Sequence, residues 1–350
     1  MGEKKIKKIT FIINGLDIGG TEKQLLCLIN LIKKKYKISI FAFSSGKLLS
    51  KFRGPGVKIT YGNNKFFSVL KLAFFLFSND TDIYHFFLPK AYLIGGLFTY
   101  FSKKKKIMSR RSLNNYHKKY FFVSLFFEKL LHKKMSLILT NTETIKKQLI
   151  ADENVENKKI MVIPNFVTSF RKKIKNKKRK FKFAYVANFI PYKNHLTLLE
   201  ICSKINVNKE WELILIGADV DGFKKIIMHK TYQLGLNKKI KFYNAKNDVN
   251  SIYANIDFSV CPSSEEGSSN FLLESIYNGL PIIAFDVGGN KDFFDKNGFL
   301  VPAFDKEEMK KKIEFMLTKK INILGTNSFK ICKKKFNNKK NIDLFFEAYK

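Results

Sequence analysis

Acidic residues are scarce in this chain: 29 Asp and Glu stand against 65 Lys and Arg, a formal charge of +36 over 350 residues. That imbalance nearly excludes cation binding and favours phosphate groups, nucleic acid or anionic lipid as partners. Its spread along the whole chain also fits a plain compositional bias. Cysteine is sparse too. Cys27, Cys202, Cys261 and Cys332 lie far apart with no Cys-x-x-Cys pair, which speaks against a zinc site or a disulfide framework and suits buried thiols in a reducing, cytoplasmic setting. Only 7 prolines interrupt a sequence that is 45% hydrophobic and 15% aromatic, so the signature of disorder is missing. Long apolar runs are missing as well. The run Ile9 to Ile13 ends at Asn14-Gly15 and reads as a strand rather than a signal peptide. Phe66 to Phe77 and Tyr92 to Phe101 are broken by Lys71 or fall short of the ~20 residues that span a bilayer. No transmembrane helix is expected.

What is present is a rhythm of short apolar runs alternating with stretches at helical spacing. Ile9 to Ile13, then Leu25, Leu26, Leu28, Ile29 and Ile32, then Ile38 to Ala42 open a βαβ pattern. Strand candidates at Asp82 to Phe86, Lys106 to Met108, Leu137 to Thr140 and Ile160 to Ile163 continue it. The run Arg171 to Lys180 holds eight Lys or Arg in ten residues and is too charged to pack inside a domain. Beyond it the rhythm restarts at Phe183 to Ala187 and runs through Glu212 to Ile216, Ile240 to Tyr243, Phe258 to Cys261 and Ile282 to Phe285. The expected class is α/β with two Rossmann-like parallel-sheet domains: residues 1–166, a basic linker or loop at 167–182, a second domain at 183–325, and a helical segment at 326–350 packing back on the first. Two such sheets leave a cleft between the carboxyl ends of their strands, where open α/β folds bind ligands.

The most informative segment runs from Pro262 to Ser275. A strand ends in a small-residue loop carrying Glu266, and a helix opens within a few residues, so backbone N–H groups at the helix start can hold an anionic group. Glu274, about one turn in, suits a sugar or ribose hydroxyl. The plain alternative is an acidic cap on a helix that packs through Phe271, Leu272 and Ile276, and spacing alone favours it.

These motifs resemble the retaining nucleotide-sugar glycosyltransferases of the GT-B fold, family 4 type. Glu266, seven residues and Glu274 match that family's paired glutamates, followed by Gly279-Leu280-Pro281, Asp286 to Asn290 and Asn297 to Pro302. Val162 to Val167 is similar to the family's interdomain junction, Val186 to His195 to its first phosphate-contacting loop, and Gly19-Gly20-Thr21-Glu22 to its glycine-rich loop. Ser109-Arg110-Arg111-Ser112-Leu113-Asn114 is similar to a segment of some polysaccharide enzymes.

The resemblance implies a metal-independent, retaining transferase of hexosyltransferase type, which moves a sugar from a nucleotide donor to a glycan acceptor, with a lipid-linked acceptor expected. Its catalytic candidates are Glu266, Lys193 and His85. Gly19, Gly20, Lys193, Gly267, Asn270, Phe271, Leu272 and Glu274 are its donor-binding candidates, and Arg110 and Arg111 its acceptor or phosphate contacts. No metal ligand set and no cofactor are expected, the nucleotide-sugar being the substrate, and the expected location is cytoplasmic, with peripheral contact on the inner face of an anionic membrane. The aromatic helix pattern at Tyr120 to Leu131 with flanking lysines is the candidate for that contact, the alternative being a core helix. His85 is either a packed core histidine or a cleft residue, Gly19-Gly20 either a tight turn or a phosphate approach, and His195 a packing residue. Asn188 departs from the family's usual arginine, and Ser268-Ser269 from its usual proline. Two other readings stay open: a catalytically weak homologue acting as a binding subunit, and a basic nucleic-acid-binding protein.

Overall fold

The computed structural model describes residues 6–62, 64–114, 116–167, 180–244, 250–319 and 321–350, with the side chains at 65–66, 116–124 and 250–251 outside that description. All but the last residue of the basic run 171–180 therefore lies outside the described residues. The chain forms two compact units, residues 1–166 with 338–350, and residues 167–337.

The first unit runs β1 (Lys8–Ile13), α1 (Gly20–Ile32), β2 (Lys37–Ala42), α2 (Leu49–Phe52), β3 (Val57–Tyr61), α3 (Lys65–Ser78), β4 (Ile83–Phe87), α4 (Pro89–Phe98), β5 (Lys105–Arg110), α5 (Tyr116–Lys134), β6 (Leu137–Thr140), α6 (Glu143–Glu153) and β7 (Ile160–Val162). Its seven strands are parallel in the order β3-β2-β1-β4-β5-β6-β7, so the direction of travel reverses between β1 and β4. Right-handed crossovers put the helices before and after that reversal on opposite faces. On one face Leu25, Leu28, Ile29 and Ile32 of α1, at helical spacing, pack on Ile9, Phe11 and Ile13. On the other, Leu72 and Phe75 of α3, Tyr92 of α4, Leu131 of α5 and Leu149 of α6 cover Ile12, Phe41, Phe86 and Met108. Alternation along each strand sends neighbours to opposite layers.

The second unit runs β8 (Phe181–Val186), α7 (His195–Ser203), β9 (Trp211–Gly217), α8 (Phe223–Gln233), β10 (Ile240–Asn244), α9 (Asn250–Tyr253), β11 (Phe258–Cys261), α10 (Asn270–Tyr277), β12 (Ile282–Phe285), β13 (Gly298–Val301), α11 (Lys306–Thr318) and α12 (Asn322–Lys335). Its six parallel strands lie in the order β10-β9-β8-β11-β12-β13, reversing between β8 and β11.

The carboxy-terminal segment divides later than its sequence suggests, after residue 337 rather than 325. Helix α12 packs on α10 in the second unit, where a Cβ on Gly325 would stand 2.5 Å from the Gly279 carbonyl and Gly279 itself has φ of +68°. Residues 326–337 thus stay with the second unit. Only α13 (Asn338–Ala348) and the last residues join the first: Asn341 donates to the Pro164 carbonyl (3.0 Å), and Phe345 stacks on Phe166 (5.6 Å).

Candidate functional site

In each sheet the loops leaving the two strands at the reversal point diverge to opposite faces, opening a crevice at the carboxyl ends. In the second unit those strands are β8 and β11. The loops leaving them are 187–194 and 262–269, which hold Lys193 and Glu266. Residues 73 apart in sequence become neighbours because β8 and β11 pair. Lys193 Nζ lies 2.7 Å from Glu266 Oε1, both side chains largely buried at 17% and 9% exposure. Burial alone would lower the Lys193 pKa, but the attraction of Glu266 outweighs it and holds the ammonium above the ordinary lysine value. The same carboxylate oxygen accepts from Ser263 Oγ (2.7 Å), which pairs in turn with the Tyr185 hydroxyl (2.6 Å). Burial, then Cys261 and Glu266, pushes Tyr185 well above the ordinary phenol value, so it keeps its proton. Gly289 N–H donates to the Glu266 carbonyl (3.2 Å), tying this loop to the one after β12.

Helix α10 begins behind the same loop. Ser269 caps it, its hydroxyl accepting from the Leu272 amide, while Phe271 and Leu272 are buried against the core and Gly267 and Asn270 are partly exposed. Glu274 Oε2 accepts from the Tyr253 hydroxyl at 2.7 Å. Burial and the neighbouring Glu274 raise that phenol's pKa far above its usual value, so it too remains a donor. Asn188 Oδ1 accepts from the Ala218 amide (3.3 Å), a backbone-fixing bond in the place where resemblance led us to look for a cation. Ser268 Oγ is buried with no hydrogen-bond partner among the described residues. His195 packs between the rings of Tyr185 (4.9 Å) and Phe189 (5.1 Å), and burial, then Lys193, takes its pKa down to about 3.

The candidates of the first unit have a different character. His85 is fully buried in the middle of β4, not at its end, with Nδ1 2.8 Å from the Tyr349 hydroxyl and Nε2 2.8 Å from Ser109 Oγ. Burial, then Arg111, holds it neutral, and with both nitrogens engaged it is a core histidine that ties α13 to the sheet. Arg110 is no acceptor contact. Its guanidinium is buried against Glu128 and Glu153 (2.8 Å for the latter), and also reaches the Tyr92 hydroxyl and the Ser112 carbonyl. Glu128, His132 and Glu153 have metal-ligand spacing, yet Arg110 already bonds both carboxylates and His132 bonds the second (2.7 Å). Arg111 donates to Asn165 (2.6 Å) and lies over the Phe87 ring, its pKa lowered by burial to about 10. Gly19 precedes α1, and a Cβ there would meet the Glu22 carboxylate at 2.1 Å, so the missing side chain makes room for that carboxylate. Burial raises the Glu22 pKa to about 7.

Sequence reasoning missed Tyr185, Ser263 and Tyr253. Ser263 sits inside the motif already singled out, whereas Tyr253 belongs to a short helix with no motif and only its proximity to Glu274 reveals it.

Residues 166–330 match the family described as Glycosyl transferases group 1, and residues 18–169 match Glycosyltransferase Family 4. The chain is 23% identical over 349 residues to the capsular polysaccharide biosynthesis glycosyltransferase CapH of Staphylococcus aureus, covering 93% of this chain and 95% of that protein. It is 22% identical over 340 residues to the N-acetylgalactosamine-N,N'-diacetylbacillosaminyl-diphospho-undecaprenol 4-alpha-N-acetylgalactosaminyltransferase of Campylobacter jejuni, covering 89% and 90%. Among solved structures, HepE of Anabaena in complex with UDP and glucose superposes with a TM-score of 0.84 at 17% identity, covering 98% of this chain and 99% of that one.

Proposed function

Because the chain belongs to the group 1 glycosyltransferases of the GT-B fold, we propose that it moves a sugar, with retention at the anomeric carbon, from a nucleotide-sugar donor to a lipid-linked glycan in polysaccharide synthesis. The observation that carries this reading is the Lys193–Glu266 pair beside the start of α10, with Glu274 one turn further on and oriented by Tyr253. The names of CapH and of the Campylobacter relative support the polysaccharide and lipid-linked acceptor.

In the proposed reaction the bond between the anomeric carbon and the β-phosphate oxygen breaks, its electron pair leaving with the nucleoside diphosphate. The acceptor oxygen bonds to the same face of that carbon, and its proton passes to the departing phosphate. Negative charge grows on the phosphate, and a preorganised ammonium at Lys193 stabilises it more in the transition state than in the ground state. Glu266, held by Ser263, accepts from hydroxyls of the transferred sugar. Glu274 accepts from the ribose, and Tyr253 sets its orientation. No metal or cofactor enters this scheme.

Asn188 favours a second reading, a weakly active homologue that binds donor without efficient transfer, since its side chain serves the backbone and brings no charge. Incubating purified protein with a panel of labelled nucleotide-sugars and lipid-diphosphate acceptors separates the two. Donor-dependent product supports transfer, and nucleotide binding without product or donor hydrolysis supports the second reading.

A further inference from the structure

The hydrogen bonds behind Glu266 run in one direction only. Glu266 Oε1 accepts from Lys193 Nζ and from Ser263 Oγ, both at 2.7 Å. A serine hydroxyl carries one proton, and here that proton goes to the carboxylate. The Tyr185 hydroxyl, 2.6 Å from the same Oγ, therefore donates to it rather than accepts. The Cys261 thiol, whose pKa burial pushes up to about 11, also donates to that Oγ, at 3.6 Å. With its proton given and both lone pairs filled, the Ser263 hydroxyl has no alternative bond to make. Both bonds to the carboxylate fall on Oε1, and Oε2 has no hydrogen-bond partner among the described residues.

Strand pairing makes this chain of bonds possible. Tyr185 lies on β8, and Ser263 stands two residues past the end of β11, its neighbour in the sheet. Both are buried, and the Tyr185 ring is held by His195 of α7 (4.9 Å) and Phe271 of α10 (5.5 Å). A phenylalanine would fill the same space without needing a polar partner, so what the Tyr185 hydroxyl adds passes through Ser263. We propose that Tyr185 and Ser263 are positioning residues for sugar transfer, acting as one unit that pins the Glu266 carboxylate by Oε1 and leaves Oε2 to accept from the transferred sugar. This rests on the reading of Glu266 as the carboxylate that receives the sugar's hydroxyls. Loosening the pin lets the carboxylate rotate, and the loss falls on the step in which the sugar is held and transferred. A nucleoside diphosphate carries no sugar, so its binding is the internal control.

The test pairs steady-state turnover with calorimetry on the full chain. Turnover is read with UDP-, GDP-, ADP-, CDP- and TDP-hexoses and a lipid-diphosphate acceptor, and calorimetry uses the corresponding nucleoside diphosphates. Tyr185→Phe is expected to lower kcat roughly 3- to 10-fold, the scale of one neutral hydrogen bond, and Ser263→Ala roughly 10- to 100-fold, the scale of a bond to a charged acceptor. In both variants the dissociation constant of the nucleoside diphosphate stays within about twofold of wild type, because only the transfer step has lost an interaction. Since Tyr185 works through Ser263, Tyr185→Phe/Ser263→Ala should lose no more than Ser263→Ala alone. If Ser263→Ala does not fold, the comparison of kcat with nucleotide affinity in Tyr185→Phe decides by itself. Wild-type kcat in Tyr185→Phe, losses that multiply in the double variant, or nucleotide affinity that falls in step with kcat overturn the proposal while leaving the transferase reading intact. A wild type that transfers no sugar overturns that reading, and the positioning role with it.

Discussion

Replacing Lys193 by Met keeps the length of the side chain and deletes its charge, which strands Glu266 in a site where it is only 9% exposed. Breaking a buried ion pair on one side costs about 3 to 5 kcal/mol. Ser263 still bonds the carboxylate (2.7 Å) and some solvent reaches it, so about 2 to 3 kcal/mol is expected. For a unit of this size that is a melting-temperature loss of roughly 4 to 12 °C. Adding Glu266→Gln removes the stranded charge, and the double variant should recover all but about 1 kcal/mol. Turnover behaves differently: Lys193→Met should fall roughly a hundredfold or more, the scale for one lost donor to a developing oxyanion, and the double variant should recover none of it. Melting by calorimetry beside steady-state transfer assays reads both. A Lys193→Met protein with wild-type melting temperature and near-normal turnover would refute the reasoning, because it would make Lys193 a solvated loop lysine.

Glu266→Gln alone should lower turnover more than donor affinity, since the carboxylate acts on charge that develops during reaction, and equal losses in both would restrict it to ground-state binding. Glu22→Gln should change the pH dependence of stability. The folded-state pKa is about 7 against an ordinary 4.5, so the carboxylate costs nothing below about pH 4.5, its cost grows between 4.5 and 7, and it is fully present above that. At 1.36 kcal/mol per unit, Glu22→Gln should be more stable than wild type by about 3 kcal/mol at pH 8 and by nothing at pH 4; a pH-independent difference in denaturant melts would contradict this.

The strand rhythm was legible because β-branched and aromatic runs of four to six residues mark buried parallel strands. The edge strands β3 and β13 were not, since Val57–Tyr61 is only partly buried and carries Lys58, and Gly298–Val301 reads as motif rather than as strand. Glu266 and Glu274 stood out through the family resemblance, their spacing alone fitting a capped helix packed on the core, and the pairing of Glu266 with Lys193 depends on β8 lying beside β11, which no local pattern encodes. The surroundings of His85 and Arg110 were hidden for the same reason. Period-two alternation places each in a strand, but what covers it is set by Tyr349, 264 residues away, and by Glu128 and Glu153 on two different helices. The same distance blindness left residues 326–337 assigned to the wrong unit.

The central claim is that the crevice between β8 and β11 holds the nucleoside diphosphate of a sugar donor, with Glu274 on the ribose. Isothermal titration of the purified protein with UDP, GDP, ADP, CDP and TDP tests it most directly. One of these should bind selectively, and Glu274→Ala should weaken that binding by about 1.5 to 3 kcal/mol, roughly 10- to 150-fold, the worth of a hydrogen bond to a charged acceptor. Binding of none of them, or an unchanged dissociation constant in Glu274→Ala, would contradict it.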